Sequence, residues 1–423
     1  MNFKDINPDL CNFCGACIAV CPRNCLSAGR EKVVFDESRC IDCGLCYNSC
    51  QGVEFDFSKA RNTFKRKRFH EIIGGYDSIH IGKSKNQELL EQSSSGGLVP
   101  EFLIYALEMG VVDGVIMVLK SKSNPLGYKI AVAKTKKQVL GRCQSLYRLI
   151  PVNMILNRLG EEKNLAFVGL PCQVEALRKL QMNGNPEAKK IKLVVGLFCG
   201  LNQSFKSVEF ILKKLKVRRE DITGFSQRKK DFKKGKGWPG GFYIRTKDNK
   251  EFFLGKEMYE YLYYKYASPR CLLCYDYTNE FADISFGDAW SKQPSKEGWS
   301  EIVVRNELSK KILRGLKKED RIILEESSLS SLMSSHPGHI TLKKKGIFLR
   351  MKKAKAKPNY NVQEKRFGKK VEFSQMMTFL FIKFIRSNLM DKVLNWLPLG
   401  FIGRLTYSLK RILRFLLFKK KQY

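Results

Sequence analysis

Two cysteine runs with identical internal spacing are the residues best suited to chemistry: Cys11, Cys14, Cys17 and Cys21, then Cys40, Cys43, Cys46 and Cys50, with Cys40 placed 29 positions after Cys11. Each reads C-x2-C-x2-C-x3-C, the spacing with which bacterial two-cluster ferredoxins hold [4Fe–4S] cubanes. Three thiolates on a tight loop bind three corners of a cubane, and the fourth comes from the opposite run. The predicted ligand sets are Cys11, Cys14, Cys17 with Cys50, and Cys40, Cys43, Cys46 with Cys21. Gly15 and Gly44 follow the second cysteine of each run, where a loop wrapped around a cluster needs a permissive φ. Pro22 follows Cys21, whereas Gln51 rather than proline follows Cys50. Zinc sites use paired C-x2-C units, not two matched quartets. The chemistry implied is single-electron transfer.

Such clusters need a scaffold. Residues 1–60 read as a ferredoxin module with short strands at Val33–Asp36 and Val53–Phe57. Arg61–His70, containing Lys65-Arg66-Lys67-Arg68, reads as a solvated connector. Beyond it, buried strands are predicted at Val111–Leu119, Leu165–Gly169 and Leu193–Phe198. Helices at Gly97–Glu108, Gln173–Leu180 and Phe205–Leu215 alternate with them. This alternation predicts an α/β core with parallel pairings. Phe242–Arg245 and Glu251–Leu254 read as an antiparallel hairpin.

A second cysteine set lies within that core: Cys143, Cys172, Cys199, Cys271 and Cys274. Cys172, in Gly169-Leu170-Pro171-Cys172-Gln173, and Cys199, in Phe198-Cys199-Gly200, both follow predicted strands. Open α/β sheets build their sites at such carboxyl ends. Cys271 and Cys274 add a C-x2-C chelate. Spacing alone leaves two readings open, a third cluster or small buried hydrophobes. Cys25 and Cys143 read as structural.

Gly169–Arg178, Gly196–Gly200, Cys271–Asp276 and Ala282–Asp288 together resemble the beta-subunit family of coenzyme F420 hydrogenase and dehydrogenase. Ser94, Ser95, Gly96 and Gly97 match that family's serine–glycine turn. The resemblance covers roughly residues 1 to 330 and implies two parts of the family domain at 76–160 and 161–330; with the ferredoxin domain 1–60, the basic linker 61–75 and a basic helical extension at 331–423 read from the residues, this completes the organisation. The fold class is accordingly α/β, an α+β ferredoxin module followed by an α/β flavin and iron–sulfur domain. The resemblance implies FAD, a third [4Fe–4S] cluster on Cys172, Cys199, Cys271 and Cys274, and an oxidoreductase. It also implies a redox partner protein and a small-molecule hydride carrier such as the deazaflavin coenzyme F420. Flavin supplies the step between a two-electron carrier and one-electron clusters. Ser94–Gly97 precede a helix, where backbone N–H groups cradle phosphate. An electron-relay subunit without catalysis, serving a polysaccharide-biosynthesis reductase, is the alternative. Leu98-Val99-Pro100 replaces the family's usual threonine, and Gly141–Tyr147 matches loosely, so the organic carrier is left open. Gly237-Trp238-Pro239-Gly240-Gly241 resembles the bacterial subgroup and reads as a surface hairpin rather than a lid. Asp283 and Asp288 flank a predicted buried strand, as capping residues or as cofactor partners.

Composition narrows the setting. Fourteen cysteines without a secretory segment predict a reducing, cytoplasmic location. Only four histidines leave little room for histidine-based chemistry. The chain carries 77 basic and 41 acidic residues, a net charge of +36. From His339 onward, 22 Lys/Arg stand against three acids, or +19. No DNA- or RNA-binding motif accompanies this charge, which argues against nucleic acid. Over Phe401–Phe418, Arg404, Tyr407, Lys410, Arg411 and Arg414 fall on one helical arc. Phe401, Ile402, Leu405, Leu409, Ile412, Leu413 and Leu416 fall on the other, followed by Lys419-Lys420-Lys421. Residues 401–421 thus read as an interfacial helix on an anionic, cytoplasmic membrane face, or as a helix packed on the protein's own core.

Overall fold

The computed structural model describes residues 1–417 except 142, 293, 294, 365 and 366, with the backbone alone at 370 and 409–417. Fifteen strands follow in chain order. A ferredoxin hairpin pairs β1 (Leu26–Ala28) with β2 (Val33–Phe35), and β3 (Arg68–His70) pairs with β4 (Gly74–Tyr76). The main sheet uses β5 (Ser78–Ser84), β6 (Gly114–Lys120), β7 (Tyr128–Ala133), β8 (Leu165–Gly169) and β9 (Ile191–Leu197). A second, three-stranded sheet is built from β10 (Ile222–Asp231), β11 (Lys236–Thr246) and β12 (Glu251–Leu254). Returning to the main sheet, β13 (Ile284–Asp288), β14 (Ser300–Val304) and β15 (Ile322–Glu326) complete the order β15-β5-β14-β13-β9-β8-β6-β7.

The centre of this mixed sheet is parallel: β6 with β8, β8 with β9, and β9 with β13. The remaining main-sheet pairs are antiparallel. Successive residues of the central strands face opposite layers, as strand geometry requires. Val115, Val195 and Ile284 pack with Leu98, Phe102 and Leu313 on one face. Ile116, Phe167 and Val194 pack with Leu177, Phe55 and Phe57 on the other. Helix Leu98–Glu108 starts at left-handed Gly97, and helix Pro171–Met182 starts on Pro171, whose missing N–H costs nothing in the first turn. With helix Lys206–Leu215 after β9, these three strand–helix units lie where the sequence pattern put them. β11 and β12 form the expected hairpin, with Phe242 opposite Leu254.

Other expectations are corrected. Val53–Phe57 is not a strand: Glu54 makes a single bridge to Asn359 and Phe57 opens helix Phe57–Thr63. Its alternating apolar residues belong to a core shared with the C-terminal extension, since Phe55 and Phe57 are buried and Phe57 N–H donates to Tyr360 O at 3.1 Å. Arg61–His70 is only in part a solvated connector: Lys65, Lys67 and Arg68 are exposed, but Arg61 and Arg66 dock on the body. Arg61 reaches Glu280 at 2.6 Å, and Arg66 and Arg178 both reach Asp283 at 3.0 Å. Trp238 lies buried against Trp290, ring centroids 4.4 Å apart, rather than on a surface hairpin. The ferredoxin module docks through Gly15, whose φ is +90° and whose Cβ position lies 2.5 Å from Pro151 O. Asn153 fixes the contact by donating its N–H and Nδ2 to Cys14 O at 3.0 and 3.2 Å.

The extension continues as helices, among them Lys369–Ile385, Asn388–Trp396 and Leu399–Leu417. Ile402, expected on the lipid-facing arc, is buried, and Gly403 places its Cβ position 2.4 Å from Met258 O. Only a side-chain-free residue permits that approach. Phe401, Arg404, Leu405 and Tyr407 of the expected pattern are exposed, and its remaining residues, the side chains of 409–417 and all of 418–423, lie outside the described residues. Among the described residues, no helix is long and apolar enough to cross a membrane.

Removing one partner of a buried ion pair leaves its charge stranded, which costs about 3–5 kcal/mol. Asp283→Ala, facing two arginines at once, should therefore destabilise the protein by about that amount. The check is the thermal or denaturant midpoint, which should fall far more than for an exposed control such as Asp320→Ala.

Candidate functional site

Gly15 and Gly44, at φ 90° and 74°, each start a one-turn helix carrying the third cysteine of its run. Burial raises the thiols of Cys11, Cys14 and Cys17, and the Cys50 charge adds to each; Cys14 is pushed up to about 12. Cys50 thus faces the first run. Cys21 instead lines one small cavity with Cys40, Cys43 and Cys46. Cys25 lines it too, its Sγ 3.1 Å from Cys21 Sγ, a contact the structural reading of Cys25 did not anticipate.

The second cysteine set converges from three elements. Cys172 stands in the first turn of helix Pro171–Met182 after β8, Cys199 follows β9, and Cys271 and Cys274 sit on the turn around Pro269–Leu272. Burial, then the charges of Cys271, Cys274 and Cys199, holds the Cys172 thiol well up. Burial pushes Cys199 up to about 12. Lys343, 1% exposed, donates to Cys271 O at 3.3 Å. Burial disfavours its charge, but Cys274, Cys199 and Cys271 outweigh that and raise its pKa. A cation thus faces the thiols. Glu175 lies nearby with both carboxylate oxygens unpartnered among the described residues, and burial, with Asp276 adding, pushes its pKa up to about 8. Arg270 joins this set to the ferredoxin module, donating to Gly52 O at 3.3 Å beside Cys50. Four thiols with a buried counter-cation suit an iron–sulfur cluster. Among the described residues no three His, Cys, Asp or Glu side chains close on a single ion, whereas a cubane takes its ligands at four spread corners.

A cavity of about 370 Å³ opens at the carboxyl ends of β8, β9 and β13, lined by Gly169, Leu197, Cys199 and Asp288 among others. That is the position where open α/β sheets bind ligands, and the volume lies within the range of small-molecule sites. Ser94, Ser95 and Gly97 line it at the start of helix Leu98–Glu108. Gly96 does not; its Cβ position faces Gly82 O at 2.9 Å instead. Cys143 also stands on the wall rather than in a purely structural place.

Several wall residues carried no sequence signal. Arg228 grips Asp288 through both Nη atoms at 2.9 and 3.1 Å and donates to Ser94 O at 2.9 Å. Such a fork fixes geometry as well as charge. Trp238 Nε1 donates to the same carboxylate at 3.3 Å, so Asp288 organises the wall rather than capping a strand. Tyr277 OH pairs with His336 Nδ1 at 2.8 Å, and His339 stacks on the Tyr277 ring at 5.3 Å. Burial lowers the His336 pKa to about 4. His336 Nε2 and Ser93 Oγ, both on the wall, are buried polar atoms without a partner among the described residues. A ligand with hydrogen-bonding edges fits such a cavity, which is the test a flavin must pass.

The family models for the N-terminal and C-terminal parts of the coenzyme F420 hydrogenase/dehydrogenase beta subunit match residues 79–157 and 162–329, and a 4Fe-4S binding domain matches 4–27. The chain is 31% identical over 242 residues to the coenzyme F420 hydrogenase subunit beta of Methanococcus voltae, covering 56% of this chain and 79% of that one. It is 28% identical over 338 residues to the coenzyme F420-dependent sulfite reductase of Methanocaldococcus jannaschii, covering 76% of this chain but only 48% of that protein. Its fold resembles a chain of the F420-reducing [NiFe] hydrogenase complex from Methanosarcina barkeri, with TM-score 0.54 and 24% identity, covering 70% of this chain and 99% of the other. Fold and cysteine pattern define an iron–sulfur oxidoreductase. The chain belongs to the coenzyme F420 hydrogenase/dehydrogenase beta-subunit family.

His336 yields a pH test. The unfolded chain takes up a proton near the ordinary value of 6.5, while the folded chain refuses it until about 4. The unfolded state therefore binds more protons across that window, and stability falls as pH drops through it. The contribution is about 3 kcal/mol, present above pH 6.5 and lost toward 4. The thermal midpoint of wild type should drop more steeply over this window than that of His336→Gln.

Proposed function

We propose that the protein is an iron–sulfur flavoprotein passing electrons between a two-electron hydride carrier and [4Fe–4S] clusters. The observation that carries this reading is a shared wall: Cys199 belongs to the convergent thiol set and also lines the large cavity. FAD would be held by the cavity, with Ser94, Ser95 and Gly97 at the helix start and Arg228 supplying positive potential. When bound, a flavin accepts an electron pair and releases it singly, the conversion that clusters alone do not perform. Tyr259, Tyr263 and Tyr277 exclude water from the walls. The Tyr277–His336 pair can hold a proton at the phenol oxygen or at Nδ1. Cys172, Cys199, Cys271 and Cys274 would ligate a third cluster, with Lys343 balancing its charge.

On this reading the ligand sets would form a spatial series. The cavity adjoins Cys199, Arg270 connects the Cys271–Cys274 turn to the residues after Cys50, and the first run interleaves with the second. At the far end Cys43 is exposed beside exposed Ile41 and Leu45, an apolar rim suited to a protein redox partner. Relatives named for coenzyme F420 make that deazaflavin the first carrier to test.

Anaerobically purified protein should contain about twelve irons per chain, and Cys274→Ala about eight. Acid denaturation should release FAD into the supernatant; its absence would leave an electron relay only. With F420H2 as donor, flavin bleaching should persist in Cys40→Ser/Cys43→Ser while reduction of an external protein acceptor is lost. Bleaching lost in that variant would mean electrons enter from the ferredoxin end.

A further inference from the structure

The C-terminal helices present an apolar surface that the redox reading does not use. On helix Lys369–Ile385, Ile382 and Ile385 face inward and are buried. Phe373, Met377, Leu380 and Phe384 recur at intervals of three and four residues and are between 36% and 60% exposed. A helix this apolar on both faces is normally covered on both. The pattern continues along the chain. Leu389 is exposed on the next helix, Trp396 is 84% exposed at its end, and Phe401 and Leu405 are exposed on the helix after that. The inner faces of all three helices converge on one hydrophobic cluster through Ile385, Leu394 and Ile402, so these residues point away from a common core. Scattered single apolar residues need no explanation, but a run of this kind marks an interaction surface.

Charge identifies what covers it. Lys369, Lys383, Lys392 and Arg404 are exposed among these apolar residues. Of the acids in the same stretch, Asp391 is paired with Lys265, which leaves Glu372. The sequence beyond adds Lys410, Arg411, Arg414 and Lys419-Lys420-Lys421. Apolar side chains flanked by cations, with an exposed tryptophan, match the polarity profile of a bilayer interface with anionic headgroups. We propose that this surface, centred on Phe373–Phe384 and Trp396, docks the protein on an anionic lipid membrane, inserting those residues among the acyl chains. The proposal is independent of the cofactor reading and differs from the sequence expectation in its residues: Ile402 holds its helix to the body, and the insertion face begins two helices earlier.

The test is sedimentation of the full chain with vesicles. Wild type should pellet with phosphatidylcholine vesicles containing phosphatidylglycerol, less so in high salt, and remain in solution with phosphatidylcholine alone. Phe373→Glu/Phe384→Glu, and separately Trp396→Glu, should weaken binding at least about tenfold while leaving iron content unchanged. Iron content guards against misfolding, and the two variants are independent of each other. Wild type that stays in solution with the anionic vesicles overturns the proposal. So does pelleting that neither variant alters, or a wild-type dimer or subunit complex that Phe373→Glu/Phe384→Glu dissolves without changing vesicle binding.

Discussion

A charge taken out of water must meet its opposite, and the loop from Pro269 to Asp283 is where this chain meets that demand most heavily. Glu280 is buried between Arg61 and Lys344, and Asp283 between Arg66 and Arg178. Arg270 spends its guanidinium on backbone carbonyls from Gly52 and Leu273. The partners come from the segment after the ferredoxin runs, from the helix carrying Cys172, and from the extension. Cys271 and Cys274 stand in the middle of this loop, so the thiol positions are set by segments far apart in sequence. Buried pairs add little net stability over apolar packing, but they penalise any misplacement severely. Their contribution here is register.

Apolar packing supplies the cohesion that the ion pairs do not. Phe57 meets Phe281 at 5.1 Å and Tyr360 at 5.4 Å, both edge-on, joining the ferredoxin end, the cysteine loop and the extension. Edge-on aromatic pairs contribute about 0.5–1.5 kcal/mol each beyond their buried area. With Gly15 seated against Pro151, the ferredoxin module is held as part of the body rather than tethered to it. The distance between the ferredoxin cysteines and the second cysteine set is thereby fixed, which a solvated linker at Arg61–His70 would not have given.

What was legible in the sequence was local. The cysteine runs, the strand–helix units ending at Gly169 and Leu197, and the β11–β12 hairpin carry their signals within a few residues. Ser94–Gly97 was placed at a helix start for the same reason, although Gly96 turns toward Gly82 and away from the cavity. Pairings across hundreds of residues were not legible. Within Lys65-Arg66-Lys67-Arg68 only Arg66 turns inward, and no periodicity reveals that Asp283 waits 217 residues later. β5, β14 and β15 pair antiparallel across equally long separations and left no hairpin signature. Arg228 and His336 lack any motif, and become wall residues only once β10 and the extension fold over the sheet.

The extension completes the site beyond the stretch that the family models match. The matched region ends at residue 329, yet His336, His339, Lys343 and Lys344 lie beyond it and reach inward. His336 and His339 finish the cavity wall around Tyr277, and Lys343 faces the thiol set. Gly200 is forced to be small by His339, whose ring lies 2.5 Å from the Cβ position, so the residue after Cys199 is fitted to a partner from the extension. Part of the cavity wall is thus built by residues C-terminal to the matched region, while β8, β9 and the cysteines that follow them lie within it. The same segment then runs on into the cationic helices. One side of the cavity wall, the cation facing the thiols and the outward-facing apolar surface are thus contributed by one continuous stretch of chain.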